Sequence, residues 1–106
     1  MGQGCRSSGL INASQLVYSG RCKLVSVHGY NEHAGNNSIV TIRDNTSASG
    51  KIVAKMVLPS LTYQFGAPPE HSQATSLEFD MHSVICHNGL YVEIAGGTAN
   101  VTVEFA

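Results

Sequence analysis

The chain has 106 residues, of which 42% are hydrophobic and only 12% charged, with a formal net charge of −1. That length fits one domain able to bury a core without disulfides. The balance argues against a nucleic-acid surface, which needs clustered Lys and Arg, because Arg21 with Lys23 and Lys51 with Lys55 are isolated pairs. A charge content about half the usual share leaves little to hold the surface apart from other protein.

In chain order, residues 1–14 are rich in Gly, Ser, Asn and Gln, with Leu10 and Ile11 as adjacent large apolar residues. They predict a loose N-terminal arm ahead of a globular domain over 15–106. "CKLVSV" (22–27) and "SIVTI" (38–42) are apolar on both parities, which predicts central strands or strands carrying a bulge. "HGYNEHAGNN" (28–37) between them reads as a polar loop. "DNTSASG" (44–50) predicts a turn into "KIVAKMVL" (51–58), where Ile52, Ala54, Met56 and Leu58 share the inward face. "GAPPEHSQ" (66–73) holds two consecutive prolines and reads as a loop. "LEFDMH" (77–82) turns Leu77, Phe79 and Met81 inward. "LYVEI" (90–94) does the same with Leu90, Val92 and Ile94, and "VTVEF" (101–105) with Val101, Val103 and Phe105. No window shows a helical period and no segment repeats. Seven or eight short alternating strands predict an all-β, single-domain antiparallel β-sandwich or jelly roll with a short N-terminal arm.

Residues 81–96, "MHSVICHNGLYVEIAG", hold the densest group of metal-ligand side chains. A metal needs ligands within about 2.0–2.3 Å. In an extended chain the Cα atoms of His82 and Cys86 lie roughly 13 Å apart, and Cys86 and His87 point to opposite faces. Asn88-Gly89 predicts instead a two-residue hairpin turn, with His87 opposite Leu90, Cys86 opposite Tyr91 and Ile85 opposite Val92. His28, Glu32 and His33 form a second group, in what reads as a loop. No Ser-His-Asp order, phosphate loop or Cys-x-x-Cys is present. No metal, cofactor or catalytic residue is expected. Cys5, Cys22 and Cys86 are odd in number and fit no disulfide framework, so free thiols in a reducing compartment are expected. The first twenty residues lack the apolar run of a secretion signal, no stretch is long and apolar enough to span a membrane, and Arg6 stands where a myristoylation signal wants Ser or Thr.

Tyr18 and Gly20 open a strand, Asp44 to Ala48 form an Asp-then-Thr-Ser-Ala turn, Gly89 to Val92 read "GLYV", and Val101 to Phe105 alternate. Over residues 17–106 this arrangement resembles small β-sandwich structural proteins of tailed bacteriophages. The resemblance implies a virion component, most simply a capsid decoration or cement protein assembled in the host cytoplasm. A tail or fibre module that binds a host surface is the alternative. The resemblance implies the major capsid protein and copies of the chain itself as partners, with a trimer favoured. It implies no enzyme activity, and nucleic acid, membrane and small-molecule substrates are not expected. The arm would supply the contact. Gln3, Arg6, Leu10 and Ile11 are its candidate interface residues, clasping a neighbouring subunit or the capsid protein by strand addition.

Overall fold

Val101, Val103 and Phe105 are buried, while Thr102 and Glu104 between them are half-buried. This period of two is the signature of a strand with one face on the core. The same logic builds the rest of the computed structural model, which describes residues 5–33, 35–60 and 77–106. The strands are β1 (Arg6–Ser7), β2 (Gln15–Ser19), β3 (Cys22–Asn31), β4 (Ser38–Asp44), β5 (Lys51–Leu58), β6 (Leu77–Cys86), β7 (Gly89–Ala95) and β8 (Ala99–Phe105). They form two antiparallel four-stranded sheets, one in the order β1-β8-β3-β6 and the other β2-β7-β4-β5. The protein is all-β, a single-domain β-sandwich. The core between the sheets holds Leu24, Val27, Val101 and Val103 from one side and Val40, Ile42, Leu90 and Val92 from the other. The loop over 66–73 lies outside the described residues.

β3 and β4 are interior strands, and β3 also carries a bulge, so both explanations of its mixed parity hold. Leu24 faces Val84 and Ser26 faces Asp80, so Val25 stands against Met81, His82 and Ser83. The extra residues are accommodated by positive φ at His82 (52°) and Ser83 (58°). Across the bulge the inward set of β3 switches from Cys22 and Leu24 to Val27, Gly29 and Asn31.

Four expectations are corrected. First, β6 and β7 do not form a hairpin: β6 pairs with β3 and β7 with β2 and β4, so Asn88-Gly89 carries the chain from one sheet to the other. Only β4 and β5 pair as sequence neighbours among the described strands. Second, residues 28–31 continue β3 rather than looping. Third, Ile52 faces outward. A bulge places it opposite Arg43 while Ala54 stays opposite Ile42, which turns Ile52 to solvent.

Fourth, residues 6–14 are not a loose arm. β1 adds to the edge of β8, with Arg6 opposite Phe105 and Ser7 opposite Glu104. Ile11 exchanges two backbone hydrogen bonds with Val101 (2.7 and 2.8 Å), and the Ser8 amide donates to the Val103 carbonyl (2.8 Å). The Ser8 hydroxyl accepts from the Val103 amide (2.9 Å). The strand addition expected toward a neighbour is made to the chain's own sheet.

Candidate interaction surface

The N-terminal candidates separate once this pairing is known. Ile11 is 1% exposed and belongs to the core, so it is not free to contact a partner. Leu10 is 66% exposed. Neighbours in an extended segment point to opposite sides, so one of the two had to face out. Arg6 is exposed and lies with its guanidinium 5.5 Å from the centroid of the Tyr18 ring, a cation–π distance. Tyr18 in turn packs on Phe105, centroids 5.7 Å apart. These contacts join β1 and β8 of one sheet to β2 of the other and close that flank of the sandwich. Gln3 lies outside the described residues.

The opposite flank is built by β5 and β6, each the outermost strand of its sheet. Here large apolar side chains reach solvent: Ile52, Val57, Phe79, Val84 and Ile85 are between 38% and 50% exposed. Phe79 faces Val27 and so keeps the inward parity expected of it, yet an outermost strand is covered on one side only. Val57 pairs with Ile39, itself 38% exposed, on the outer face of the β4–β5 hairpin. Lys55 and Thr41 sit opposite each other on that same outer face. Nearby, Arg43 donates to Glu93 (3.0 Å) and to the Gly50 carbonyl (3.0 Å). An open depression of about 250 Å³ is lined by His28, Gly29, Tyr30, Leu77 and Glu78.

The groups with chemical potential serve the fold. Asp44, 6% exposed at the end of β4, accepts the amides of His87 (3.0 Å), Asn88 (2.7 Å) and Gly89 (3.3 Å). Burial alone would raise its pKa, but the three N–H donors prevail and hold the carboxyl below its ordinary value. This carboxylate replaces the cross-strand bonds of a hairpin and lets the chain change sheets. Gly89 is needed there because a Cβ would lie 2.7 Å from the Asn45 carbonyl oxygen. At the other end of the sandwich Asn31, fully buried, donates to the carbonyls of Asn36 (2.7 Å) and Leu58 (3.2 Å) and accepts from the amides of His33 (3.0 Å) and Thr98 (2.9 Å). It ties β3, β5 and the β7–β8 connection together.

His28, Glu32 and His33 do not converge. Glu32 accepts from the Asn100 side chain (2.6 Å), and His33 Nδ1 accepts the amides of Gly35 and Asn36 (3.0 Å each). His82 is exposed on the bulge, whereas Cys86 is fully buried at the far end of its strand. Among the described residues no three His, Cys, Asp or Glu side chains come together in a way that could hold a metal.

Two features escaped the sequence. Asp44 carried no sign of its partners, because the three amides it binds lie more than forty residues away. Cys22 and Cys86 stand directly opposite each other on β3 and β6. The chain matches no known family model, no curated protein and no solved structure.

Proposed function

We propose that the protein is a structural component of a tailed-bacteriophage virion: a decoration or cement protein that binds the major capsid protein and copies of itself on the head. The observation that carries this reading is the β5–β6 flank, where five large apolar side chains are at least 38% exposed on a chain only 12% charged. Exposed apolar side chains gathered on two outermost strands favour burial against protein. The sheet-edge backbone beside it favours pairing with another strand. Resemblance to small phage sandwiches supports the same reading. The mechanism is adhesive rather than catalytic: apolar contacts across subunit boundaries resist the pressure inside a filled head. Leu10, exposed away from this flank, is a second point of contact.

Antibody labelling of purified virions tests the reading. Label spread over the head is the expected result. Label confined to the tail tip would make the protein an adhesion module, and its absence from particles would sink both. Native mass spectrometry tests the trimer separately: a trimer of the 11.2 kDa chain is expected.

A further inference from the structure

We propose that Cys22 and Cys86 are a disulfide-forming pair, a cross-strand modification site that staples the end of edge strand β6 to interior strand β3 under oxidising conditions. The two residues are register partners in the antiparallel β3–β6 pair. On the other side of β3, Lys23 and Ala106 exchange both backbone bonds (2.9 Å each). The alternation of a strand then aims the polar groups of Cys22 at β6. Opposite residues in such a hydrogen-bonded pair have Cα atoms about 5.5 Å apart. Disulfides span about 4.4–6.8 Å between Cα atoms. Both side chains face the core, Cys22 5% and Cys86 0% exposed, so they are directed at each other and shielded from competing thiols. Cys5 is exposed, outside this pair.

The environment separates the pair from a reactive cysteine. Burial raises the pKa of Cys22, with Asp44 adding to the effect while a hydrogen bond from the Cys86 thiol opposes it. Burial raises that of Cys86 to about 11, with Cys22 and Asp44 both adding to the effect. Thiolate attack is therefore slow in the folded protein. Closure is thermodynamically available but kinetically gated by the opening of β6. Val84 and Ile85, next to Cys86, are each 38% exposed, which makes this strand end the accessible route. Oxidised glutathione, a small-molecule disulfide, is a sufficient oxidant. One cysteine thiolate attacks a glutathione sulfur and releases a glutathione thiolate. The second cysteine thiolate then attacks the mixed disulfide at the protein sulfur and releases the other. The protein loses two electrons and two protons, one disulfide bond breaks, one forms, and two glutathione thiols result. The assignment does not depend on the virion reading.

The test uses full-length protein with Cys5→Ser, leaving only the two thiols in question. The chain is unfolded, refolded in buffers of graded reduced-to-oxidised glutathione ratio, quenched in acid and alkylated under denaturing conditions. Refolding removes the barrier of access. The expected result is joint loss of both alkylatable thiols, a linked Cys22–Cys86 peptide, an unchanged β-sheet circular dichroism spectrum and a higher urea midpoint than the reduced form. Native protein in the same buffers should reach the same end state more slowly. The proposal is overturned if refolding leaves both thiols alkylatable at the most oxidising ratio. It is equally overturned if only single glutathione adducts accumulate, or if the linked form has a lower midpoint than the reduced one.

Discussion

The interior strands and the β5–β6 flank are made from the same kinds of residue and use them differently. On β3, β4, β7 and β8 the inward Leu24, Val40, Ile42, Leu90, Val92, Val101 and Val103 are at most 1% exposed. On β5 and β6 comparable side chains, Ile52, Val57, Phe79, Val84 and Ile85, keep more than a third of their surface in water. Burial of a Leu or Ile side chain is worth about 1.5–3 kcal/mol relative to exposure. The interior strands have already gained that stabilisation in full, and the flank side chains, still 38–50% exposed, keep the remaining part of it in reserve for a partner. The first region should therefore govern folding and the second association.

The sharpest way to break the contrast is truncation on both sides of it. Leu24→Ala and Ile11→Ala should each destabilise by about 2–5 kcal/mol, because both side chains are enclosed. Leu10→Ala, at a position 66% exposed, should stay within about 0.5 kcal/mol, and Ile85→Ala, 38% exposed on an outermost strand, should cost no more than about 1.5 kcal/mol. Urea unfolding of the four variants decides it. Equal losses at Leu10 and Ile11 would mean that the N-terminal segment is not pinned as described.

Next in size is the turn that joins the two sheets. Asp44→Asn keeps the shape but sets an amide group against backbone donors, and should cost about 1–3 kcal/mol. The wild-type contribution also has a pH signature. The folded carboxyl has a pKa below its unfolded value of about 3.9, so the stabilisation is present above that value. It is lost as pH falls through the folded pKa. Wild-type stability should thus decline below about pH 4 more steeply than that of Asp44→Asn. Parallel acid titrations would refute this.

A smaller effect is expected in base. In the reduced protein the buried Cys86 thiol has its pKa raised to about 11, so the folded state holds a proton that the unfolded chain releases from about pH 8.5. Its stabilisation is complete below the unfolded value and falls away as pH rises from there through about 11. Cys22→Ala with Cys86→Ala should flatten that alkaline slope in urea titrations under reducing conditions.

Legibility in the sequence followed regularity. β7 and β8 contain no bulge of their own, and Leu90, Val92, Val101, Val103 and Phe105 lie inward as their alternation requires, with Ile94 partly buried beside them. Ile52 broke the pattern because one bulged residue reverses every parity beyond it. Phe79 kept its parity but not its burial, since periodicity reports direction and says nothing of a strand's place in the sheet. Asn88-Gly89 misled for a related reason: the dipeptide permits a tight reversal, and the distant Asp44 decides which strand the chain meets next. Ile11 looked detached because it and Leu10 stand alone in a stretch of small and polar residues, yet its pairing is with Val101, ninety positions along. The Cys22–Cys86 juxtaposition is long-range in the same sense. The exposed flank is therefore a property of strand order, which composition and spacing do not encode.

The last test leaves stability almost untouched. Ile52→Lys with Val57→Lys places two charges on β5, at positions 47% and 50% exposed. Lysine is well tolerated on an outermost strand, and its stem can cover the same apolar neighbours while the ammonium stays in water. The change in folding stability should be within about 1 kcal/mol, twice the usual surface allowance of about 0.5. Association is another matter. A contact that buried these side chains would have to desolvate two ammonium groups without partners, a cost of several kcal/mol for each. If β5 faces a capsid protein or a second copy of the chain, the double variant should fold normally and be missing from purified particles. Lysine at Leu10 separates the two flanks: lowered occupancy there as well would mean that both touch the shell. Full occupancy by the β5 variant would show that the exposed apolar side chains of β5 are not the binding surface, and the case for the flank would then rest on β6 alone.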